Sequence, residues 1–252
     1  MVSERDLMGG LAKGLKVIEA FSAEHPRLSI SQAAEIAGLD RATTRRCLLT
    51  LAELGYAAYD GKYFTVTPKV LRLGTGCLAT MPLPRIVQPL LDDLSIRIEQ
   101  STSVSILDET EIVYVARAAQ RRVMSIALMP GSRLPAYCTS MGRVALAALD
   151  AEKRRALLEK SHLEARTERT ITDIDALMAE LEATSARGYA IIDQEVEIGL
   201  RSIAVPLQNL RGQTVAALNV GLSVTSASME DLVNTYLPPL LAVQADLRRM
   251  LV

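Results

Sequence analysis

The spacing of apolar residues changes character along the chain, and each change marks an element. Leu15, Ile18 and Phe21 recur near the helical period, which predicts a first helix over Lys13–Ser22. Ile30, Ala33, Ala34 and Ala37 form the next helical stripe. Ser29 and Gln32 have capping-box spacing at its start, and Gly38 suits a left-handed stop at its end. Asp40 is a natural N-cap for a further helix, on which Thr44, Cys47, Leu48, Leu51 and Leu54 share one face while Ala42, Arg45, Arg46 and Leu49 point away. The first helix is expected to close a small core against Leu48 and Leu51. After Gly55 the period shortens: YAAYDGKYFTV reads as two strands around Asp60-Gly61, a pair that favours a two-residue type I′ hairpin.

Pro68 then opens PKVLRLGTGCLA, a helix expected to end near Gly74 or Gly76 and to help pair two chains, and Met81-Pro82-Leu83-Pro84 breaks the pattern. These breaks divide the chain into residues 1–67, a linker helix over 68–82 and a larger domain over 83–252. In the larger domain, Ile86, Leu90, Leu94 and Ile98 mark a helix face. TSVSILD and EIVYVARA read as a hairpin, and MSIALM (Met124–Met129) as a third strand. Helices follow over Met141–Leu149 and Ala151–Lys160, with a third begun by Thr172 and Asp175 and stopped at Gly188. YAIID, RSIAVPLQN and TVAALNVGL are strands, and a last helix from Ser228 is interrupted at Pro238-Pro239. Hairpin-linked strands flanked by helices describe an α+β fold with a mostly antiparallel sheet.

The N-terminal order, helix, turn, helix and hairpin, is that of a winged helix-turn-helix, in which the second helix enters the DNA major groove. The candidate DNA contacts are Arg41, Thr43, Thr44, Arg45 and Arg46, with Lys62 on the wing beside Tyr59 and Tyr63. A solvated basic face on an ordinary surface helix, with both tyrosines packed on the small core, is the alternative.

Composition narrows the choice. Residues 1–76 carry ten Lys and Arg against eight Asp and Glu, so DNA affinity would rest on a few placed arginines and on pairing as a dimer. No apolar run reaches the roughly 20 residues of a membrane span, and Met1–Gly10 lacks a signal-peptide core, so a cytoplasmic protein is expected. Cys47, Cys77 and Cys138 read as reduced thiols, and two histidines make a histidine-rich metal site implausible. No phosphate loop, metal spacing or nucleophile–base pair is apparent, so neither cofactor, metal nor catalytic residue is expected. An enzyme acting on a small carboxylic acid is the competing class, and would turn such acids over when mixed with them.

GSRLPAYCTSMGRVALA, GYAIIDQEVEIGLRSIAVPL and AALNVGL, following a winged helix, resemble the IclR-type transcriptional regulators over nearly the whole length. RLPAYCTSMGRV with DQEVEIGLRSIAVPL is similar to the group that controls aromatic-acid catabolism through protocatechuate and β-ketoadipate. The resemblance implies a GAF-like effector-binding domain, dimers that pair into tetramers, operator DNA as partner and a small carboxylate or aromatic acid as effector. Protocatechuate, 4-hydroxybenzoate and β-ketoadipate remain open, as does a regulator without a ligand. In the family the ligand meets amides that correspond here to Ser140 and Met141, at a helix start whose partial positive charge suits a carboxylate. A plain helix cap is the alternative. Arg143, or Arg133 upstream, would add a charged bond and Tyr137 an aromatic wall. By position, further pocket residues fall near Asp193, Leu200, Ser202 and Asn219. Ser202 replaces a cysteine of many relatives, and Gln194 interrupts their acidic pair. Asp193 or Glu195 facing solvent, or paired with Arg201, is the alternative there.

Overall fold

The computed structural model of the chain describes residues 6–22, 24–120 and 128–251, with the backbone alone at 77–79. It divides into two compact units, Met1–Met81 and Pro82–Val252.

In the first unit, α1 (Gly9–Glu19), α2 (Ile30–Ala37) and α3 (Arg41–Glu53) precede a hairpin of β1 (Ala57–Tyr59) and β2 (Phe64–Val66). The local signals act as their chemistry dictates. Ser29 and Gln32 form a complete capping box, Gly38 is left-handed with φ 62°, and the Asp40 carboxylate accepts the Thr43 amide at 2.8 Å. The core is Val17, Leu28, Ala33, Leu48, Leu51 and Phe64, and each large member adds about 1.5–3 kcal/mol by leaving water. Leu28 and Phe64 exchange backbone bonds of 2.9 and 2.8 Å, which fastens the wing to the segment before α2.

Three expectations for this unit need correction. Val17, not Leu15, carries α1 into the core, and Leu15 and Leu54 are exposed. Leu54 lies just past the last turn of α3, where the stripe has run out. The hairpin loop has four residues, Asp60–Tyr63, because Tyr59 pairs with Phe64. A type I′ turn needs positive φ at both central residues, and of Asp60 and Gly61 only Gly61 has it. The Asp60 carboxylate instead accepts the Lys62 and Tyr63 amides at 2.8 and 2.7 Å.

A 3₁₀ turn over Pro68–Val70 leads into α4 (Leu71–Thr80). Helix α4 runs straight through Gly74 and Gly76. Neither adopts positive φ, so neither provides the left-handed stop expected there.

The second unit begins with α5 (Pro82–Ile98), which buries Val87, Leu91 and Leu94, a face displaced by one residue from the expected Ile86–Leu90 row. The strands are β3 (Ser101–Asp108), β4 (Glu111–Ala118), β5 (Arg133–Pro135), β6 (Ala190–Asp193), β7 (Leu200–Gln208) and β8 (Thr214–Ser223). They form one sheet in the order β5-β4-β3-β8-β7-β6, and every described pairing is antiparallel. The expected strand over Met124–Met129 falls mostly on 121–127, outside the described residues; Leu128 and Met129 are in no strand.

Between β5 and β6 lie α6 (Ser140–Ala147), α7 (Ala151–Lys160) and α8 (Ile174–Arg187). Helix α8 is capped by Asp173, which accepts the Ala176 amide at 2.8 Å, rather than by Thr172. After β8, a short α9 (Met229–Asp231) passes through a π turn at Leu232–Tyr236 into α10 (Leu237–Arg248). The α pattern begun at Ser228 is thus interrupted just before Pro238-Pro239, and the prolines sit in the first turn of α10, where a missing N–H costs least. Helices α5 and α10 cover one face of the sheet, with Thr102 Oγ1 donating to the Leu91 carbonyl, while α6 covers the other. Among the described residues no helix is long and apolar enough to cross a membrane, and no His, Cys, Asp and Glu cluster could hold a metal ion.

Candidate DNA-facing helix and carboxylate pocket

Helix α3 presents Arg41, Arg45 and Arg46 to solvent, and none of the three has a carboxylate partner among the described residues. The opposite face, with Thr44, Leu48 and Leu51, is buried. Thr44 was expected at the DNA face; it is fully buried, and its hydroxyl donates to the Asp40 carbonyl at 2.9 Å, so it holds the helix start. Thr43 is also nearly covered, and its hydroxyl accepts Arg46 Nη2 at 3.4 Å, which steadies that arginine. The Thr43 amide bonded to Asp40 keeps that carboxyl below its usual range.

On the wing, Lys62 is exposed. Tyr59 stacks on Phe64 with centroids 4.3 Å apart and donates to the Gly61 carbonyl at 2.7 Å. The Tyr63 ring carries Lys62 and Arg27 at 5.1 and 4.9 Å from its centre, so Arg27 joins the basic surface, a residue the sequence pattern passed over. Behind the wing, Lys69 Nζ donates to the Leu54 carbonyl at 2.7 Å, a cation at the C-terminal end of α3.

In the second unit a pocket lies between the sheet and the first turn of α6. Its cavity volume is about 40 Å³. That space holds a few waters, so a larger guest must push the lining side chains apart. Arg117 and Tyr114 of β4, Ser202 of β7 and Asn219 of β8 form the floor; Thr139, Ser140 and Met141 of the α6 turn face them; Val196 and Leu200 close a side. Thr139 caps α6, its hydroxyl accepting the Gly142 amide at 3.2 Å. The amides of Ser140 and Met141 have no acceptor among the described residues, as the first turn of a helix allows. Ser140 Oγ is buried with no hydrogen-bond partner. An unpartnered buried hydroxyl costs free energy that a ligand oxygen would recover.

Helix α6 approaches so closely because residue 142 is glycine: a Cβ there would lie 2.2 Å from the Ala136 carbonyl oxygen. This contact sets the first turn of α6 against the segment before it.

Of the nine residues expected at the effector site, five line this pocket: Ser140, Met141, Leu200, Ser202 and Asn219. The other four do not. Arg133 is an exposed edge residue paired with Glu111 at 2.7 Å and Asp108 at 2.8 Å. Tyr137 is buried, its hydroxyl donating to the Glu164 carbonyl at 2.6 Å where the stretch after Lys160 folds back over it. Arg143 is fully buried, donating through Nε to the Tyr137 carbonyl at 2.9 Å and through Nη2 to Glu195 at 2.6 Å. Asp193 is paired with Arg201 at 2.6 Å and with Arg169. Burial raises the Asp193 pKa, but hydrogen bonds from Arg201 and Gln194 and the charges of Arg201 and Arg169 together outweigh it and leave the carboxyl below its usual range. Cys47 and Cys138 are free thiols, and burial pushes the Cys138 thiol up to about 11, which keeps it protonated and unreactive; the Cys77 side chain is outside the described residues.

The cation and the aromatic ring that line this pocket are Arg117 and Tyr114, not Arg143 and Tyr137. Arg117 is the one charged residue among the described lining residues. Its Nη1 donates to Ser103 at 2.9 Å, no carboxylate faces it among the described residues, and burial draws its pKa down. Tyr114 is pushed up to about 12 by burial, so its hydroxyl stays protonated. These two are three residues apart and would point to opposite faces of a regular strand. A bulge resolves this: Val104 pairs with Ala116 but Ser105 with Tyr114, so β4 carries one extra residue and both side chains reach the same face. Alternation alone conceals the pair.

Comparison with known proteins agrees with this architecture. Residues 10–61 match the model described as the IclR helix-turn-helix domain, and residues 75–248 the one described as Bacterial transcriptional regulator IclR C-terminal. The chain is 44% identical to the Pca regulon regulatory protein of Pseudomonas putida, over 96% of this chain and 84% of that one. A candidate transcriptional regulator from Rhodococcus sp. RHA1 has a crystal structure similar at TM-score 0.80 and 45% identity, covering 96% and 97% of the two chains. A double mutant of the inducer-binding domain of the PobR transcription factor from Acinetobacter, crystallised with 3-hydroxybenzoic acid, is similar at TM-score 0.63 and 34% identity, covering 67% of this chain and 98% of that one.

Proposed function

The chain belongs to the IclR family of transcriptional regulators, and on that premise we propose that it is a cytoplasmic, operator-binding homodimer, able to pair further into a tetramer, whose operator affinity is set by a small aromatic carboxylic acid. In this reading Arg41, Arg45 and Arg46 of α3 contact the duplex and Lys62 lies against its backbone. A twofold partner supplies the second half-site one DNA turn away. The effector carboxylate lies between Arg117 and the Ser140 and Met141 amides, with its ring against Tyr114 and Leu200 and its ring hydroxyls near Ser202 and Asn219.

One observation supports this most: a partly buried arginine and an unpartnered buried serine line the same pocket, and no carboxylate of the described chain answers either. A charge-assisted bond from guanidinium to carboxylate is among the stronger contacts a ligand can make. The relatives add weight, since one is a Pca regulon regulator and another was crystallised with a hydroxybenzoic acid.

A thermal-shift screen with protocatechuate, 3- and 4-hydroxybenzoate and β-ketoadipate tests the reading. An acid at a hundred times its Kd adds about 2.7 kcal/mol, or on the order of 5–10 °C in a unit of this size. Arg117→Gln should abolish that rise. A rise that survives the substitution would move the carboxylate elsewhere.

A further inference from the structure

Arg143 and Glu195 form the most deeply buried ion pair of the described residues, with side chains 2% and 8% exposed and Nη2 to Oε2 at 2.6 Å. Neither lines the pocket. Each is instead next to a wall of it: Arg143 follows Met141 by two residues on α6, and Glu195 directly precedes Val196. Both are also anchored behind. Arg143 Nε holds the Tyr137 carbonyl at 2.9 Å, and Glu195 Oε2 accepts the Ile171 amide at 3.1 Å. The Glu195 carbonyl accepts Thr170 Oγ1 at 2.7 Å. The loop that carries Glu195 starts from Gln194, a non-glycine residue at φ 63°, a conformation that persists only where the surroundings impose it.

We propose that the Arg143–Glu195 pair is a positioning device that fixes the gap between the first turn of α6 and the Val196–Leu200 wall, and so selects among aromatic acids without touching them. This rests on the pocket assignment above. A buried ion pair is seldom retained for stability, since apolar residues of similar volume hold a core as well or better. What the pair supplies is a fixed distance: its length is set by two hydrogen-bonded ends, whereas an apolar contact can slide. The gap matters here because the pocket is narrow enough that an aromatic acid must part its walls. The energy of parting them then depends on where on the ring the guest carries its substituents.

The test is isothermal titration of the full-length chain with 3-hydroxybenzoate, 4-hydroxybenzoate and protocatechuate. It compares wild type, Glu195→Gln, which keeps the shape and removes the charge, and the paired Arg143→Met/Glu195→Leu, which removes both ends. The readout is the ratio of Kd values among the three acids. A change of threefold or more in at least one ratio, in whichever variant is folded by circular dichroism, is the expected result, with acid-free operator affinity within twofold of wild type. A pair that merely holds the fold would shift the melting temperature and leave every ratio within threefold, which would overturn the proposal. Wild type that binds none of the acids would overturn the pocket assignment itself, and this inference with it.

Discussion

Arg117 is a cation kept partly out of water with one serine hydroxyl for company. Taking an anionic guest there restores the partner that burial removed. Arg117→Gln should therefore raise the Kd for an aromatic acid by tenfold to a hundredfold, since hydrogen bonds to charged groups contribute about 1.5–3 kcal/mol; titration calorimetry would read the change directly. Gly142→Ala acts on the same site from behind. Its methyl would meet Ala136 backbone, not a flexible side-chain end, and overpacking of this kind costs about 1–3 kcal/mol. Chemical denaturation should show that loss, and a neutral result would mean α6 can retreat. Asp193 carries a pH signature. Its carboxyl is held below the usual range by hydrogen bonds from Arg201 and Gln194 and by the charges of Arg201 and Arg169, against the pull of burial, so its stabilisation is complete above the unfolded-state value of about pH 4. It is lost as the pH falls through the lower folded value. Asp193→Asn should be less stable than wild type at pH 7 and show a smaller loss on acidification; parallel curves would remove the carboxylate from the balance.

The elements were legible where capping chemistry is local. Ser29 with Gln32, Asp40, Gly38 and Gly188 each fix a boundary through bonds to neighbours a few residues away, and each appears in the folded chain as its side chain or φ requires. The failures at the site depend on something distant. The bulge that brings Tyr114 and Arg117 together is imposed by pairing with β3. The buried fates of Arg143 and Tyr137 depend on Glu195 and on the segment around Glu164, tens of residues away. Arginines near a helix start look alike in sequence, whether a ligand or a carboxylate of the same chain awaits them. For α3, the two faces now make different predictions. Arg45→Ala or Arg46→Ala should weaken operator binding and reduce the slope of log affinity against log salt by about one each. Thr44→Val, which keeps the buried volume, should leave both unchanged. An unchanged slope on losing Arg46 would take it off the DNA.

At the scale of the whole molecule, the DNA-facing helix and the pocket belong to different units, each with its own core. An acid bound in one can alter DNA binding by the other only as a coupling free energy, by favouring one arrangement over another. Such couplings usually amount to about 1–3 kcal/mol, or roughly 5- to 150-fold. They are also reciprocal: the factor by which the acid changes operator affinity equals the factor by which operator changes acid affinity. The decisive measurement is an operator titration by fluorescence anisotropy with wild type and Arg117→Gln, each with and without saturating aromatic acid. The expected result is at least a fivefold change in operator Kd on adding acid to wild type, and none for Arg117→Gln, whose acid-free affinity matches wild type. Equal operator affinity with and without every acid that binds wild type would contradict effector control through this pocket.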